Sequence, residues 1–537
     1  MERAANLLIR CLEKEGVTTI FGLPGEETID LMDALRDSSI RFVLARHEQA
    51  AAFMADGYGR ITGAAGVCLS TLGPGATNLV TGIADAFLDR SPLVAITAQQ
   101  ELKHSPTESH QYIDIPQLLK PITKWNARVE HPRQIPEVVR KAFKIAQFEK
   151  PGATHIELPA DVAAAQAEGR PIPAERTRRP SPDRPSIERA AAILAGAERP
   201  LILAGNGVIR GHAAAELTAF AESLQIPVAQ TMMAKGSIPA SSPMCLFTLG
   251  IPAFDFPAIG FDMADLVFCV GYDLVEYDPG YWNPDGAKQV IHLDFTPAEV
   301  SRAYIPEVEI VADLRESIQL LRERLSGVRK SDATVATRRA RLEAAFGKEG
   351  DPVPGRCKPQ RILRRLRAGL GPESILVSDT GAHKLWIGRL FHAERPNTVV
   401  IPNGLAPMGF AVPAGIAIRL AQPERTVVTV SGDGGFLMNA HELETARREE
   451  LPTVNIVFRD EGLGSIRWKE QARVGRTFGT EFGNPDFVRF AESFGLKAFR
   501  VQSENEFDSV LQEAIGLPTP SVIDVPVDYS DDPFAPL

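Results

Sequence analysis

Short, continuous β-branched and aliphatic runs alternate along this chain with stretches whose apolar positions recur every three or four residues, the two rhythms of strand and helix. Between Val17 and about Asp161 the runs are VTTIFG, RFVLAR, GVCLSTLG, LVAITAQ and THIELP. Strands and helices taking turns in this way predict a parallel sheet covered by helices on both faces. The segment AAAQAEGRPIPAERTRRPSPDRPS, 163–186, has five prolines and little apolar content, and it reads as an interdomain linker. A second set of runs follows: LILAGNG, IPVAQT, DLVFCVGYD, QVIHLDF and VEIVAD. A charged stretch then leads to a third set, ILVSDTGAH, TVVIPNGLAPMG, TVVTVSGDGG, TVNIVFRD and PSVIDVPV. The expectation is an α/β protein of three doubly wound parallel-sheet domains, 1–165, 185–327 and 358–537. No short repeat recurs, which argues against a solenoid.

The segment from Thr426 to Asp460 organises the rest. A β-branched run ends in Gly432-Asp433-Gly434-Gly435, a helical stretch with Leu437, Leu443 and Ala446 follows, and a second β-branched run closes on Asp460. This βαβ pattern predicts parallel strands, so Asp433 and Asp460 both fall at carboxyl ends, the edge where open α/β sheets bind ligands. Gly434 and Gly435 let the backbone come close to an anion at the helix start. Two carboxylates beside an anion site suit Mg²⁺, which completes its octahedron with phosphate oxygens and water. GDGG on its own is equally a strand-to-helix turn with Asp as the helix cap; Asp460 at the matching strand end favours the metal.

Composition narrows the classes. At 537 residues the chain is too long for one core. Charged residues make up 23% and apolar residues 44%, the balance of an ordinary globular protein. A net charge of −10 without a basic block argues against nucleic-acid binding. The lack of a long apolar run argues against a membrane span, and the amphipathic opening after Met1 against a signal peptide; a cytoplasmic protein is the expectation. Cys11, Cys68, Cys245, Cys269 and Cys357 are an odd, scattered set with no CxxC. They give neither a disulfide scaffold nor a zinc pattern, and Cys68 and Cys269 read as small core residues.

Residues 432–460 resemble the thiamine diphosphate (ThDP) signature, a GDG followed about 27 residues later by Asn or Asp. Over nearly its whole length the chain is similar to the acetolactate synthase family. The resemblance implies the ThDP-binding fold, with pyrimidine-binding, central and diphosphate-binding domains. It also implies ThDP and Mg²⁺ as cofactors, the metal held by Asp433, Asp460 and the carbonyl of Gly462. Gly432, Gly434 and Gly435 would line the diphosphate.

The same resemblance gives the other candidates. RHEQAAAFMADGYGR resembles the family segment whose glutamate, here Glu48, hydrogen-bonds N1′ of the aminopyrimidine and stabilises its imino tautomer, general acid–base work; without the resemblance Glu48 is an ordinary acid at a helix start. Pro24, Gly25, Gly73 and Asn78 fall in cofactor-adjacent loops, although Gly73-Pro74-Gly75 alone is only a tight turn. Gln111 matches an active-site glutamine. His110 replaces a Phe of the FAD-containing branch and forms a His-Gln pair like that of the FAD-independent, catabolic branch. Asp379, Gly381 and His383 would give a second grip on the diphosphate, with His383 alternatively only a helix cap. The carbonyl of Ala406 would accept from the 4′-amino group, and Met408 would hold the bent cofactor, a residue otherwise read as core filler.

FAD is not expected. Gly205-Asn206-Gly207 lacks the third glycine of a dinucleotide loop, since Arg210 stands there, and GYDLVEYDPGYWN resembles the catabolic branch. Lys469 departs from the family, which has Trp or Gln at this place; it either pairs with the carboxylate of an acceptor substrate or points to solvent while Trp468 fills the pocket. The implied activity is decarboxylation of pyruvate and transfer of the two-carbon unit to a second pyruvate, giving 2-acetolactate. The rivals are another 2-oxoacid decarboxylase or carboligase and a non-catalytic homologue. Active sites between subunits of a homodimer or homotetramer are implied as well.

Overall fold

The computed structural model describes residues 1–104, 107–175, 178–250, 259–330, 334–347 and 350–531. Among them lie three six-stranded sheets, every pairing within them parallel. Helices cover both faces of each sheet, so the central strands carry unbroken apolar runs instead of alternation. Leu93–Gln99 and Ala153–Pro159, for example, are buried at every position.

The first sheet runs, edge to edge, Arg41–Leu44, Thr19–Leu23, Gly66–Ser70, Leu93–Gln99, Ala153–Pro159, Trp125–Arg128. Numbered along the chain this is the order 2-1-3-4-6-5. The third sheet repeats it with Val399–Val400, Ile375–Ser378, Val427–Gly432, Thr453–Arg459, Ser521–Pro526 and Lys497–Arg500. The middle sheet differs: Cys245–Thr248, Val228–Gln230, Pro200–Ala204, Leu266–Val270, Gln289–Asp294, Val308–Val311, the order 3-2-1-4-5-6. Each sheet has one edge strand that the hydrophobic pattern did not announce: Trp125–Arg128, Cys245–Thr248 and Lys497–Arg500.

The crossover after Gly432 is not one helix. It breaks into Asp433–Asn439, a 3₁₀ turn at Ala440–Glu442, and Leu443–Arg448. At the break the Asn439 side-chain amide donates to the Gly409 carbonyl at 2.8 Å, tying the crossover to a neighbouring loop. The proline-rich linker also carries order at its start, where Gln166–Ala167 pairs antiparallel with Glu2–Arg3; Arg176 and Thr177 within it lie outside the described residues. All five cysteines are free and buried.

The first and third domains dock within the chain through two helices, Glu48–Thr62 and Ala411–Ala421. Small residues allow the close approach: a Cβ on Gly57 would stand 2.9 Å from the Ala414 Cα. Phe53 meets Phe410 edge to face with ring centroids 5.6 Å apart. Among the described residues no helix is long and apolar enough to cross a membrane.

Candidate active site

The strand order 2-1-3-4 places the carboxyl ends of the first and third strands of a sheet side by side, the switch point where doubly wound sheets open a crevice. In the third domain those ends carry Asp379 and Asp433, and the next strand ends at Asp460. Strand register brings Gly432 opposite Phe458. Asp433 Oδ2 then accepts from the backbone N–H of Asp460 at 3.1 Å and of Glu461 at 2.8 Å, and from the Asn484 side-chain amide at 2.8 Å. Its Oδ1 accepts from Gly434 N at 2.9 Å.

Asp460 is pushed up to about 7, first by burial and then by the charge of Asp433, with Arg467 opposing both. Asp433 is raised as well, chiefly by burial. Two crowded, desolvated carboxylates call for a cation. In this chain the Arg467 guanidinium supplies one: it pairs with Asp460 Oδ2, and its Cζ lies 3.1 Å from where a Gly462 Cβ would stand. A cationic group already rests between Asp460 and Gly462, so the donor set fits a divalent ion there. Among the described residues no group of three or more His, Cys, Asp or Glu side chains is placed to hold a metal by itself; Mg²⁺ needs only a few protein oxygens and takes the rest of its shell from phosphate and water.

His383 is buried, and burial holds its imidazole down to about 3, so it is neutral. Its Nε2 has no hydrogen-bond partner among the described residues, and its Nδ1 lies 3.1 Å from a Cβ placed on Gly381 and 3.4 Å from one on Gly432. A buried ring with an unpartnered Nε2, its Nδ1 edge against the glycines Gly381 and Gly432, is a polar group available to a ligand. The carboxylate of Asp379 is engaged elsewhere: it accepts from Gly409 N at 2.9 Å, Ala411 N at 3.2 Å and Thr380 N at 2.7 Å. It therefore shapes the loop 402–409 and lies 3.0 Å from a Cβ placed on Gly435.

That loop carries Ala406, whose φ of +56° is left-handed, a conformation costly for any residue with a Cβ. Met408 follows, its Cε 3.4 Å from a Cβ on Gly434 and so against the GDGG turn. The side chain of Phe482 packs on the same glycine.

In the first domain the corresponding strand ends carry Pro24 with Gly25, and the Gly73-Pro74-Gly75 turn. Gly25 packs on Thr71, 2.5 Å from its own would-be Cβ to that residue's Cβ. Glu48 opens the helix after the second strand, 6% exposed. The Asn78 amide donates to its Oε2 at 2.9 Å, while Oε1 lies 3.3 Å from a Cβ placed on Gly75 and enters no hydrogen bond among the described residues. Gly73, at φ +50°, and Gln111, at φ +59°, meet backbone to backbone: a Gly73 Cβ would sit 2.6 Å from the Gln111 carbonyl oxygen. His110 is exposed, its carbonyl accepting from the Gln100 side chain. The structure thus gathers Glu48, Gly73, Asn78 and Gln111 in one domain and Asp433, Asp460, Gly462, His383, Ala406 and Met408 in another. Among the described residues no hydrogen bond joins Glu48 to the second group.

Lys469 is exposed on the helix Gly464–Val474, with Trp468 beside it donating its indole N–H to the Tyr529 carbonyl at 3.2 Å. Asn484, Arg467 and the buried Lys384, whose Nζ donates to Pro402 O at 2.8 Å, were not singled out from the sequence. No periodicity marks them; an Asn in NPDF and an Arg in SIRW look like loop and helix-surface residues until the chain folds. In the middle domain, Gly205, Gly207 and Gly271 close their switch point backbone on backbone. Asn206 N, the donor a dinucleotide phosphate would use, donates to both Glu276 carboxylate oxygens at 3.1 and 3.0 Å.

Comparison with known proteins follows this geometry. Residues 2–118, 187–321 and 379–525 match, in turn, the N-terminal TPP binding domain, the central domain and the C-terminal TPP binding domain of thiamine pyrophosphate enzymes. The chain is 37% identical to a probable acetolactate synthase large subunit of Methanocaldococcus jannaschii, covering 98% of this chain and 92% of that one. It is 35% identical to an acetolactate synthase of Bacillus subtilis, over 99% and 94%. With a catabolic acetolactate synthase of Raoultella terrigena it shares 34% identity, over 99% and 96%.

Proposed function

This chain belongs to the acetolactate synthase family of thiamine pyrophosphate enzymes, and from that premise we propose that it decarboxylates pyruvate and joins the two-carbon unit to a second pyruvate, giving 2-acetolactate. The observation that carries this reading is the pair Asp433–Asp460 at neighbouring strand ends, with the Arg467 guanidinium lodged where a metal would lie. Bound ThDP supplies the electron sink for loss of CO₂ and the carrier for the two-carbon fragment. The protein does the rest.

Asp433, Asp460 and the carbonyl of Gly462 would hold Mg²⁺, which would neutralise the charge of a bound diphosphate. His383, whose Nε2 has no partner among the described residues, would line the phosphate side of the site. Glu48, with Oε2 fixed by Asn78, keeps Oε1 for the proton at N1′ of the aminopyrimidine, and a carboxylic acid there favours the tautomer whose 4′-nitrogen is the base. The Ala406 carbonyl would accept from the 4′-amino group, and Met408 would pack against the cofactor. Gln111 and His110 border the substrate. The domains that bring Glu48 and Asp433 belong to different subunits of a homodimer, or of a homotetramer built from it. A crevice closed by two subunits excludes water and keeps these charges strong.

Lys469 favours a second reading, an acceptor other than pyruvate, because an ammonium at the rim recognises any carboxylate-bearing carbonyl compound. The test is direct. Enzyme with pyruvate, ThDP and Mg²⁺ is expected to release CO₂ and, after acidification, acetoin; acetaldehyde without acetoin overturns the proposal.

A further inference from the structure

The left-handed Ala406 needs a reason to stay where it is. A non-glycine residue at φ +56° persists only when its surroundings over-determine it. Downstream of Ala406, the buried Asp379 provides that constraint by accepting from Gly409 N and Ala411 N, and Asn439 holds the Gly409 carbonyl. Upstream, the constraint comes from a different domain. Asp89, 1% exposed, closes the helix Val80–Leu88 of the first domain. Its Oδ2 accepts from Asn403 N at 3.0 Å and its Oδ1 from Gly404 N. The approach is tight: a Cβ on Gly404 would lie 2.5 Å from Asp89 Oδ1 and 2.8 Å from the Leu88 carbonyl oxygen.

Asp89 is itself held. Arg60 Nη1 donates to Asp89 Oδ2 at 2.6 Å, while its Nε and Nη2 donate to both oxygens of Asp56 at 2.8 Å and its Nη2 also to Asp85 at 3.0 Å. The same guanidinium lies 4.8 Å above the ring of Phe410, the residue that follows Gly409. One arginine therefore fixes the upstream anchor and touches the downstream end of the same loop. Its side chain is 11% exposed and its three aspartates are not exposed at all, so the cluster is a rigid, desolvated block.

We propose that Asp89, oriented by Arg60, is a positioning residue: it clamps the loop 402–409 from its upstream side so that Ala406 holds its left-handed conformation and aims its carbonyl at the aminopyrimidine. The assignment of that carbonyl rests on the function proposed above; the clamp itself does not.

Hydrogen–deuterium exchange on the cofactor-free protein tests the clamp alone. Asp89→Asn keeps the shape and removes the charge and one acceptor, so the amides of 403–409 are expected to exchange about tenfold faster, with the sheets unchanged. Gly404→Ala attacks the contact from the other side and leaves every charged group in place, and the same local acceleration is expected. With ThDP and Mg²⁺ added, both variants are expected to shift the near-ultraviolet circular dichroism bands of the aminopyrimidine tautomers. They are also expected to lower kcat, by up to about 10²-fold for a displacement near 1 Å, at unchanged pyruvate KM. Wild-type exchange at 403–409 in both variants overturns the clamp. Faster exchange spread over the whole first domain overturns it too, because it reveals a merely structural aspartate. Local acceleration with unaltered tautomer bands overturns the link to Ala406, and a wild type that shows no cofactor bands refutes the function instead.

Discussion

Arg467→Gln is the perturbation that separates a metal site from a salt bridge. The Arg467 guanidinium pairs with Asp460 Oδ2 and also reaches the Asp460 carbonyl oxygen at 3.3 Å. Asp460 is 8% exposed and Arg467 28%. A hydrogen bond to a charged group contributes about 1.5–3 kcal/mol, and the partial exposure of the arginine brings it to the lower end, about 1.5 kcal/mol. A divalent ion held by Asp460 and Gly462, as proposed above, would displace that guanidinium. Removing the competitor is then expected to tighten metal binding by about tenfold.

Proton binding to Asp460 opposes the gain. Asp460 sits at about 7 with Arg467 present, and loss of the arginine moves it further up, because a stabilising positive charge is gone. Metal binding needs the carboxylate, so below that pKa the ion must also expel a proton. Wild-type affinity should therefore rise with pH up to about 7 and level off above it. The advantage of Arg467→Gln should be full near pH 9 and shrink towards pH 6. Mn²⁺ in place of Mg²⁺, followed by the electron paramagnetic resonance signal of the free ion, reads both dissociation constants without any turnover. Equal or weaker Mn²⁺ binding by Arg467→Gln at pH 9 would refute the stand-in and make Arg467 part of the grip on the diphosphate.

Other outcomes can be set beside this one. Glu48→Gln is expected to lose roughly 10²–10⁴-fold in kcat while Mn²⁺ affinity stays at the wild-type value, and a parallel loss of both would show that Glu48 acts on the fold. Asn484→Ala removes one of three donors from Asp433 Oδ2 and should weaken Mn²⁺ binding by about 10–100-fold; titration calorimetry checks it, and an unchanged constant sinks it. Glu442 is pushed up to about 7 by burial, from an ordinary value of 4.5, while accepting from Arg46 N, His47 N and Thr445 Oγ1. Its folded pKa is raised, so its stabilising contribution is complete below pH 4.5 and is lost as pH climbs through 7. Glu442→Gln should therefore gain up to about 3 kcal/mol on the wild type between pH 4.5 and pH 8, visible as a difference in thermal midpoints that grows with pH; a difference flat in pH contradicts it. Lys469→Gln should raise the ratio of acetaldehyde to acetolactate if the ammonium holds the acceptor, and leave it unchanged if it does not.

Much of this could be read from the chain because both buried faces of a parallel sheet demand apolar residues. Fifteen of the eighteen strands in the three six-stranded sheets stand out as apolar runs, and the three that do not are all edge strands. Trp125–Arg128 is only partly buried throughout, and Lys497–Arg500 has exposed basic ends, which is how sheets keep their edges from pairing with other chains. Cys245–Thr248 is fully buried but holds no valine or isoleucine, and Cys, Leu and Phe do not tell a strand from a helix. The candidate site was legible where chemistry sits beside a turn, as at Asp433 or His383. Asn484 and Asp89 escaped because each acts on a residue far away in sequence, 51 positions in the case of Asn484 and Asp433 and 315 in that of Asp89 and Gly404, and Arg467, only seven positions from Asp460, escaped because an arginine on a helix reads as a solvated surface residue. Asp379 shows the complementary effect: its place at a strand end was plain, whereas the partners of its carboxylate depended on where the loop 402–409 came to rest.

The three sheets divide the labour by what they leave at their switch points. In the third domain two strand ends present carboxylates and glycines, a place for a metal and an anion. In the first domain the equivalent turns, Pro24-Gly25 and Gly73-Pro74-Gly75, are themselves uncharged, and of the acids nearby Glu27 is held by Thr71 and Glu48 by Asn78. A ligand with a metal-bound diphosphate at one end and a titratable ring at the other matches that asymmetry, and two uncharged or two acidic halves would not. The middle domain contributes neither half, since its switch point is filled by the chain's own Glu276. It still reaches the site from behind: the Asn403 amide donates to the Glu276 carbonyl at 2.9 Å, one residue from the Gly404 contact with Asp89. The loop that bears Ala406 is thus fastened by all three domains at once. A strained conformation needs fixed points on rigid bodies, which gives the middle domain a physical part in holding this loop even though it supplies none of the residues proposed to bind the cofactor.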